Sequence, residues 1–149
     1  MPFRRLLIVA LIPLLLTACS EPEDTGPGQP VAHRRTAFNT ILKAFEPMGS
    51  QLRKSQYKAD DFIALAKRLN QAKQGPWEYF TPGSDYPPSR ATGAVWSEAE
   101  KFEARRQDFF KAADQLVVAA ETRDEAKAKA AYDALHDTCR ECHKTFKKS

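Results

Sequence analysis

The chain has 149 residues, with 23 Lys and Arg against 19 Asp and Glu and a formal net charge of +4. Two of the basic residues, Arg4 and Arg5, belong to a segment that export would remove, leaving 21 basic against 19 acidic residues, a net of +2. A near-neutral chain of this kind is not a nucleic-acid binder, and its length suits one folded unit around a single core.

The amino terminus reads MPFRRLLIVALIPLLLTACS. A basic start precedes an apolar run from Leu6 to Leu16, which is shorter than the ~20 residues needed to cross a bilayer and fits the apolar region of a secretory signal. Leu16-Thr17-Ala18-Cys19 is similar to a bacterial lipobox, so residues 1–18 are expected to be cleaved as a lipoprotein signal peptide and Cys19 to be lipidated. Several acyl chains hold a protein stably where one does not. The mature chain is therefore expected to be tethered on the periplasmic side of a bacterial membrane. Ser20, where an Asp would signal retention in the inner membrane, points to the outer one. The stretch that follows, SEPEDTGPGQP, is polar and rich in Pro and Gly, so 19–30 is expected to be a lipidated Cys and a flexible tether, with 31–149 as the folded domain.

Four amphipathic segments follow. Phe38, Ile41, Phe45, Met48 and Leu52 recur at helical spacing, as do Phe62, Leu65, Leu69 and Ala72. Phe102, Phe109, Ala113, Leu116 and Ala120 mark the third stripe, and Ala128, Ala131, Leu135, Cys139, Cys142 and Phe146 the fourth. Each reads as a helix with one apolar face, and no segment alternates with a strand period. Pro47 should kink the first helix or thin its hydrogen bonding. Ser97-Glu98-Ala99-Glu100 and Thr122-Arg123-Asp124-Glu125 have the pattern of capping boxes before the third and fourth helices. The links are short between helices one and two and between three and four, and long from Gly75 to Val95. The expected fold is all-α, an antiparallel four-helix bundle with an extended loop between helices two and three.

The fourth helix ends in CRECHKTFKKS. Cys139 and Cys142 lie three residues apart, and His143 lies four beyond Cys139, so on a helix all three share a side. Cys-x-x-Cys-His is the attachment pattern of c-type haem: two thiols form thioethers with the porphyrin edge and the adjoining imidazole reaches iron. Structural zinc normally takes four protein ligands, and the chain has no second Cys pair. A thioredoxin-type pair would open a helix in a βαβ unit, and none is readable here. One haem c, covalent through Cys139 and Cys142 with His143 on the iron, is the expected cofactor.

Candidates for the other side of the iron are few. His136 precedes His143 by two turns of the same helix, His33 stands at the start of helix one, and Met48 reads as core. In HRRTAF (His33 to Phe38), GPWEYFTPGSD (Gly75 to Asp85), VWSEAEKFEARRQDFFKAADQL (Val95 to Leu116) and CRECHKTFKK (Cys139 to Lys148), the chain resembles the cytochrome c prime family over essentially all of 31–149. That resemblance implies His143 as the sole protein ligand and Arg34 as the arginine that meets a haem propionate. It places Arg35 beside Arg34, Phe38 over the open iron face, and Trp77 and Phe80 as walls of the same pocket. Lys147 stands where the family usually has Arg, exchanging a planar fork for a point charge.

A phenyl ring over iron offers no hydrogen-bond donor, which disfavours stable O₂ binding while leaving room for NO and CO. The expected function is a five-coordinate, high-spin haem that binds NO and, when reduced, CO, with an NO-buffering role. Turnover is not expected, since no general acid or second metal is readable in the sequence. The alternative is a low-spin electron-transfer cytochrome with Met48 as sixth ligand. A periplasmic redox partner remains to be identified, and the family is often dimeric through helices one and two.

Overall fold

The computed structural model describes residues 22–149; the expected signal peptide and Cys19 lie outside them. Five α-helices are present: α1 (Pro30–Arg53), α2 (Ala59–Ala72), a short α3 (Ala94–Ser97), α4 (Ala99–Glu121) and α5 (Glu125–Phe146), with a 3₁₀ turn at Trp77–Tyr79. The four long ones are the four amphipathic segments. The short α3 and the 3₁₀ turn are ordered pieces of the long crossover. Among the described residues no helix is long and apolar enough to cross a membrane.

Interhelical pairs give the direction of packing. Asp60, Lys67 and Lys73, in order along and just past α2, meet Arg123, Glu121 and Asp114, in reverse order along and just past α4. These helices therefore run antiparallel, and the tight links after α1 and α4 make the other neighbours antiparallel too. α1 packs along α2, α2 along α4 and α4 along α5, whereas α1 and α5 meet over a short stretch. There Phe45 stacks on Tyr132, with ring centroids 4.4 Å apart. Gly49 permits this approach, since a Cβ at that position would collide with the Tyr132 hydroxyl.

The main core holds Ile41, Ala44, Met48, Phe62, Leu69, Ala113, Leu116 and Leu135, all buried and all but Ala44 on the stripes read from the sequence. A second, smaller cluster of Ala91, Val95 and Phe146 joins the crossover to the end of α5, with Phe80, Trp96, Phe102 and Cys142 packed against it. α1 runs unbroken across Pro47; lacking an N–H, Pro47 leaves only the Lys43 carbonyl without its helical donor.

Three local expectations are corrected. Ser97 does not cap the third long helix: it ends α3, and Glu98 occupies the cap without a side-chain bond. Before α5 the cap is Asp124, whose carboxylate accepts from the Lys127 amide at 3.1 Å, while Thr122 turns back to the Ala119 carbonyl. A carboxylate at that point meets the positive end of the helix better than a hydroxyl two residues earlier. Finally, the polar segment before α1 is held down from Asp24 onward. Asp24 is 2% exposed and accepts from the amides of Val31 (2.8 Å), Ala32 (3.0 Å) and Gly26 (3.0 Å) and from the Tyr86 hydroxyl (3.0 Å). It caps α1 from six residues upstream of Pro30, which local pattern rules do not anticipate. Gly26 is required because a Cβ there would strike the Tyr86 ring.

Candidate functional site

α5 carries Cys139, Cys142 and His143 within little more than one turn. Both thiols are free and half-buried. Cys139 packs against the main core and Cys142 against the second cluster, so the pair bridges the two apolar regions. Burial raises the pKa of both thiols: Cys139 is held above the ordinary thiol range, and Cys142 is pushed up to about 11, with Cys139 adding and Arg105 opposing. They are neutral thiols in apolar surroundings, not an activated redox pair.

His143 faces partly to solvent at the end of α5. Its ring is kept below the usual imidazole range by desolvation first, then by the positive charges of Lys147 and Arg90. A neutral imidazole is the form that ligates a metal. Among the described residues no three of His, Cys, Asp and Glu come together as a metal-ion site. Two neutral thiols packed against apolar clusters and an exposed imidazole on the same turn do suit a covalently held haem.

That interior is aromatic. Phe38 is half-buried on α1 and meets Trp77 (5.7 Å) and Phe80 (6.3 Å) edge-on. Trp77 also touches Phe102, Phe109 and Phe110 at 5.8–6.0 Å, and Phe102 meets Phe146 at 5.1 Å. The 3₁₀ turn is pinned by the Trp77 indole N–H, which donates to the Lys73 carbonyl, and by fully buried Pro76. Phe38, Trp77 and Phe80 are thus brought together; Phe38, Trp77 and Cys139 pack against the main core and Phe80 against the second cluster.

Arg34 is 5% exposed and is committed to the crossover. One terminal nitrogen donates to the Tyr79 carbonyl (2.9 Å) and Ser84 Oγ (3.0 Å); the other donates to the Ser84 carbonyl (3.0 Å) and Ser89 Oγ (2.8 Å). Its guanidinium lies 4.4 Å from the Phe80 ring centroid. The terminal N–H groups that a propionate would use are spent on the loop, leaving Nε. Charge-assisted bonds to buried oxygens are the strong class, so this is a structural staple. Arg35, beside it, donates to the Pro22 carbonyl at 3.3 Å.

The other candidate ligands lie elsewhere. Met48 is 0% exposed within the main core. His136 sits against Phe45 and Tyr132, and His33 stacks on Tyr79 at 5.1 Å. The sequence reading missed Ser84, Ser89, Ala91, Val95 and Trp96 as parts of the site. Trp96 donates to the Phe80 carbonyl at 3.2 Å and so closes the loop on itself. The sequence signal for this was the apolar Val95-Trp96 pair at the end of a crossover that also carries Trp77 and Phe80.

The chain matches the family model described as cytochrome c' over residues 29–147. It is 33% identical to cytochrome c' of Rubrivivax gelatinosus over 126 residues, which cover 81% of this chain and 95% of that one. Its fold is similar to that of cytochrome c prime from Shewanella frigidimarina, with a TM-score of 0.79 and 28% identity over 84% of this chain and 98% of that one. It is also similar to two variants of cytochrome c prime from Alcaligenes xylosoxidans, one a nitric oxide complex and one bound to carbon monoxide. Each has a TM-score of 0.77 and 26% identity, covering 85% of this chain and 100% of the other.

Proposed function

The chain belongs to the cytochrome c' family, and is therefore a haem protein; on that premise we propose that it is an exported, lipid-anchored gas-binding cytochrome. Cys139 and Cys142 would join one haem, His143 would be the sole protein ligand to its iron, and Phe38 would shield the open side. When bound, the haem supplies the iron that takes NO or, in the reduced state, CO. The chain's own residues decide what reaches it.

The observation that carries this reading is the contrast between Phe38 and Met48. Phe38 is half-buried at the edge of the main core, edge-on to Trp77 and Phe80, and Cys139 packs against the same core, whereas Met48 is fully buried inside it. Met48 follows Phe38 by ten residues, about 15 Å along α1, and lies one turn beyond Phe45, which touches Tyr132 and His136. Drawing Met48 out of the core would forfeit about 1.5–3 kcal/mol of burial. Phe38, Trp77 and Phe80 present no ligating atom; the Trp77 N–H is already spent on Lys73. Such a face shields without coordinating and gives bound O₂ no donor. This supports reversible NO and CO binding, an NO-buffering role, and no catalytic turnover.

Export and anchoring at Cys19 complete the proposal; they place the protein on the periplasmic side, at the outer membrane. The deciding experiment is the absorption spectrum of the purified holoprotein with and without CO. A high-spin spectrum that CO changes after reduction is expected. A sharp low-spin spectrum indifferent to CO would establish the electron-transfer alternative instead. Phe38→Ala should speed CO binding, and unchanged kinetics would show that another side chain covers the iron.

A further inference from the structure

The crossover returns to the end of α5 and closes on it. Ala91 and Lys147 form an antiparallel bridge. The Thr92 amide donates to the Phe146 carbonyl (3.1 Å), and the Lys148 amide donates to the Arg90 carbonyl (2.7 Å). The Thr92 hydroxyl donates to the Thr145 carbonyl (2.9 Å), and the Arg90 guanidinium to the Lys148 carbonyl (3.0 Å). Residues 90–92 are therefore fastened to 145–148, immediately after His143.

The charges around His143 are of two kinds. On α5 and α4, Arg140 pairs with Asp137, Lys144 with Glu141, Arg105 with Asp108 and Lys101 with Glu98. Each of these cations is answered by a carboxylate three residues away. Among the described residues no carboxylate pairs with Arg90, Lys147 or Lys148; Arg90 and Lys148 bond to backbone carbonyls instead, Lys148 to that of Asp85. The unanswered positive charge beside His143 is thus delivered by the tail and by the crossover together. A guanidinium is present on this side of the site, but it comes from a loop more than 50 residues away in sequence and not from α5.

We infer that Arg90 is a positioning residue for the His143 side of the site, setting the reduction potential of the bound iron by holding a fixed positive charge next to Lys147. Ferrous haem carries one positive charge fewer than ferric haem, so a nearby fixed cation favours the reduced form. The inference rests on haem being held by Cys139, Cys142 and His143, but not on the state of the opposite face. It makes the reduced, CO-binding state easier to reach.

The test is redox titration of the holoprotein at low ionic strength. Arg90→Gln should lower the midpoint potential and Arg90→Lys should restore it. The gap should shrink as salt is raised to about 1 M, where the Debye length is about 3 Å. Thr92→Val breaks one bond of the same clasp without touching a charge. It should lower the melting temperature of the chain and leave the potential where it was. An Arg90→Gln potential equal to that of the parent at low salt would overturn the inference. So would Arg90→Lys or Thr92→Val falling as far as Arg90→Gln, since the clasp and not the charge would then be responsible. Mass measurement separates the two levels: a loaded chain with an unmoved potential counts against Arg90 alone, and a chain without covalent haem against the haem reading and the inference together.

Discussion

The half of the bundle around Met48, Leu116 and Tyr132 and the half capped by the crossover are built differently. In the first, every buried position lies on a helical stripe, small residues alternate with Leu and Phe, and Gly49 lets α1 reach α5. In the second, the core is a set of aromatic rings on loops and helix ends, ordered by buried polar groups: Arg34 over Ser84 and Ser89, and Asp24 under Tyr86 and the start of α1. Dense aliphatic packing makes a rigid frame. Rings pinned by a few directional bonds leave a site that can be tuned without dissolving the frame. The proposed site lies where the two meet, since Cys139, Phe38 and Trp77 pack against the first and Cys142 and Phe80 against the second.

The comparison breaks most readily at Leu116. Leu116→Ala removes a fully buried side chain of the frame and should cost about 2–5 kcal/mol in denaturant unfolding. The loss should be global, with every probe shifting together. A small or purely local effect would show that the frame does not carry stability as described.

Arg34→Ala addresses the other half. Several charge-assisted bonds disappear, Ser84 Oγ loses its donor and Ser89 Oγ keeps only the Ala91 amide, at an expected cost of about 2–3 kcal/mol. Hydrogen exchange should accelerate first at residues 79–89, and CO should enter faster because Trp77 and Phe80 are released. The double change Ser84→Ala with Ser89→Ala should reproduce the direction of both effects. If it leaves exchange and CO entry untouched while Arg34→Ala alters them, the guanidinium serves a propionate and not the loop.

Asp24 should show the smallest effect, and a pH-dependent one. Burial opposes its ionisation, but the amides of Ala32, Gly26 and Val31 and the Tyr86 hydroxyl outweigh it and hold the carboxyl below its ordinary range. A carboxylate with a depressed folded-state pKa contributes fully above the unfolded value of about 4 and loses that contribution as pH falls through the depressed one. Asp24→Asn should therefore lower the melting temperature at neutral pH and narrow the gap to the parent protein in acid. Parallel curves at all pH values would remove Asp24 from the account.

The sequence by itself determined the four long helices, their antiparallel order and the Cys139–Cys142–His143 turn, while leaving Met48 open between core and iron ligand. Those features follow from periodicity and fixed spacing, which are local properties of a chain. It also carried Phe38, Trp77 and Phe80, although their meeting could be reached only through family resemblance. What the tertiary structure alone decided are contacts between residues far apart with no shared period: Arg34 with Ser84 and Ser89, Asp24 with Tyr86, and Arg90 beside the end of α5. A buried guanidinium or carboxylate must find oxygens or amides wherever the fold brings them, and no spacing rule specifies that partner in advance.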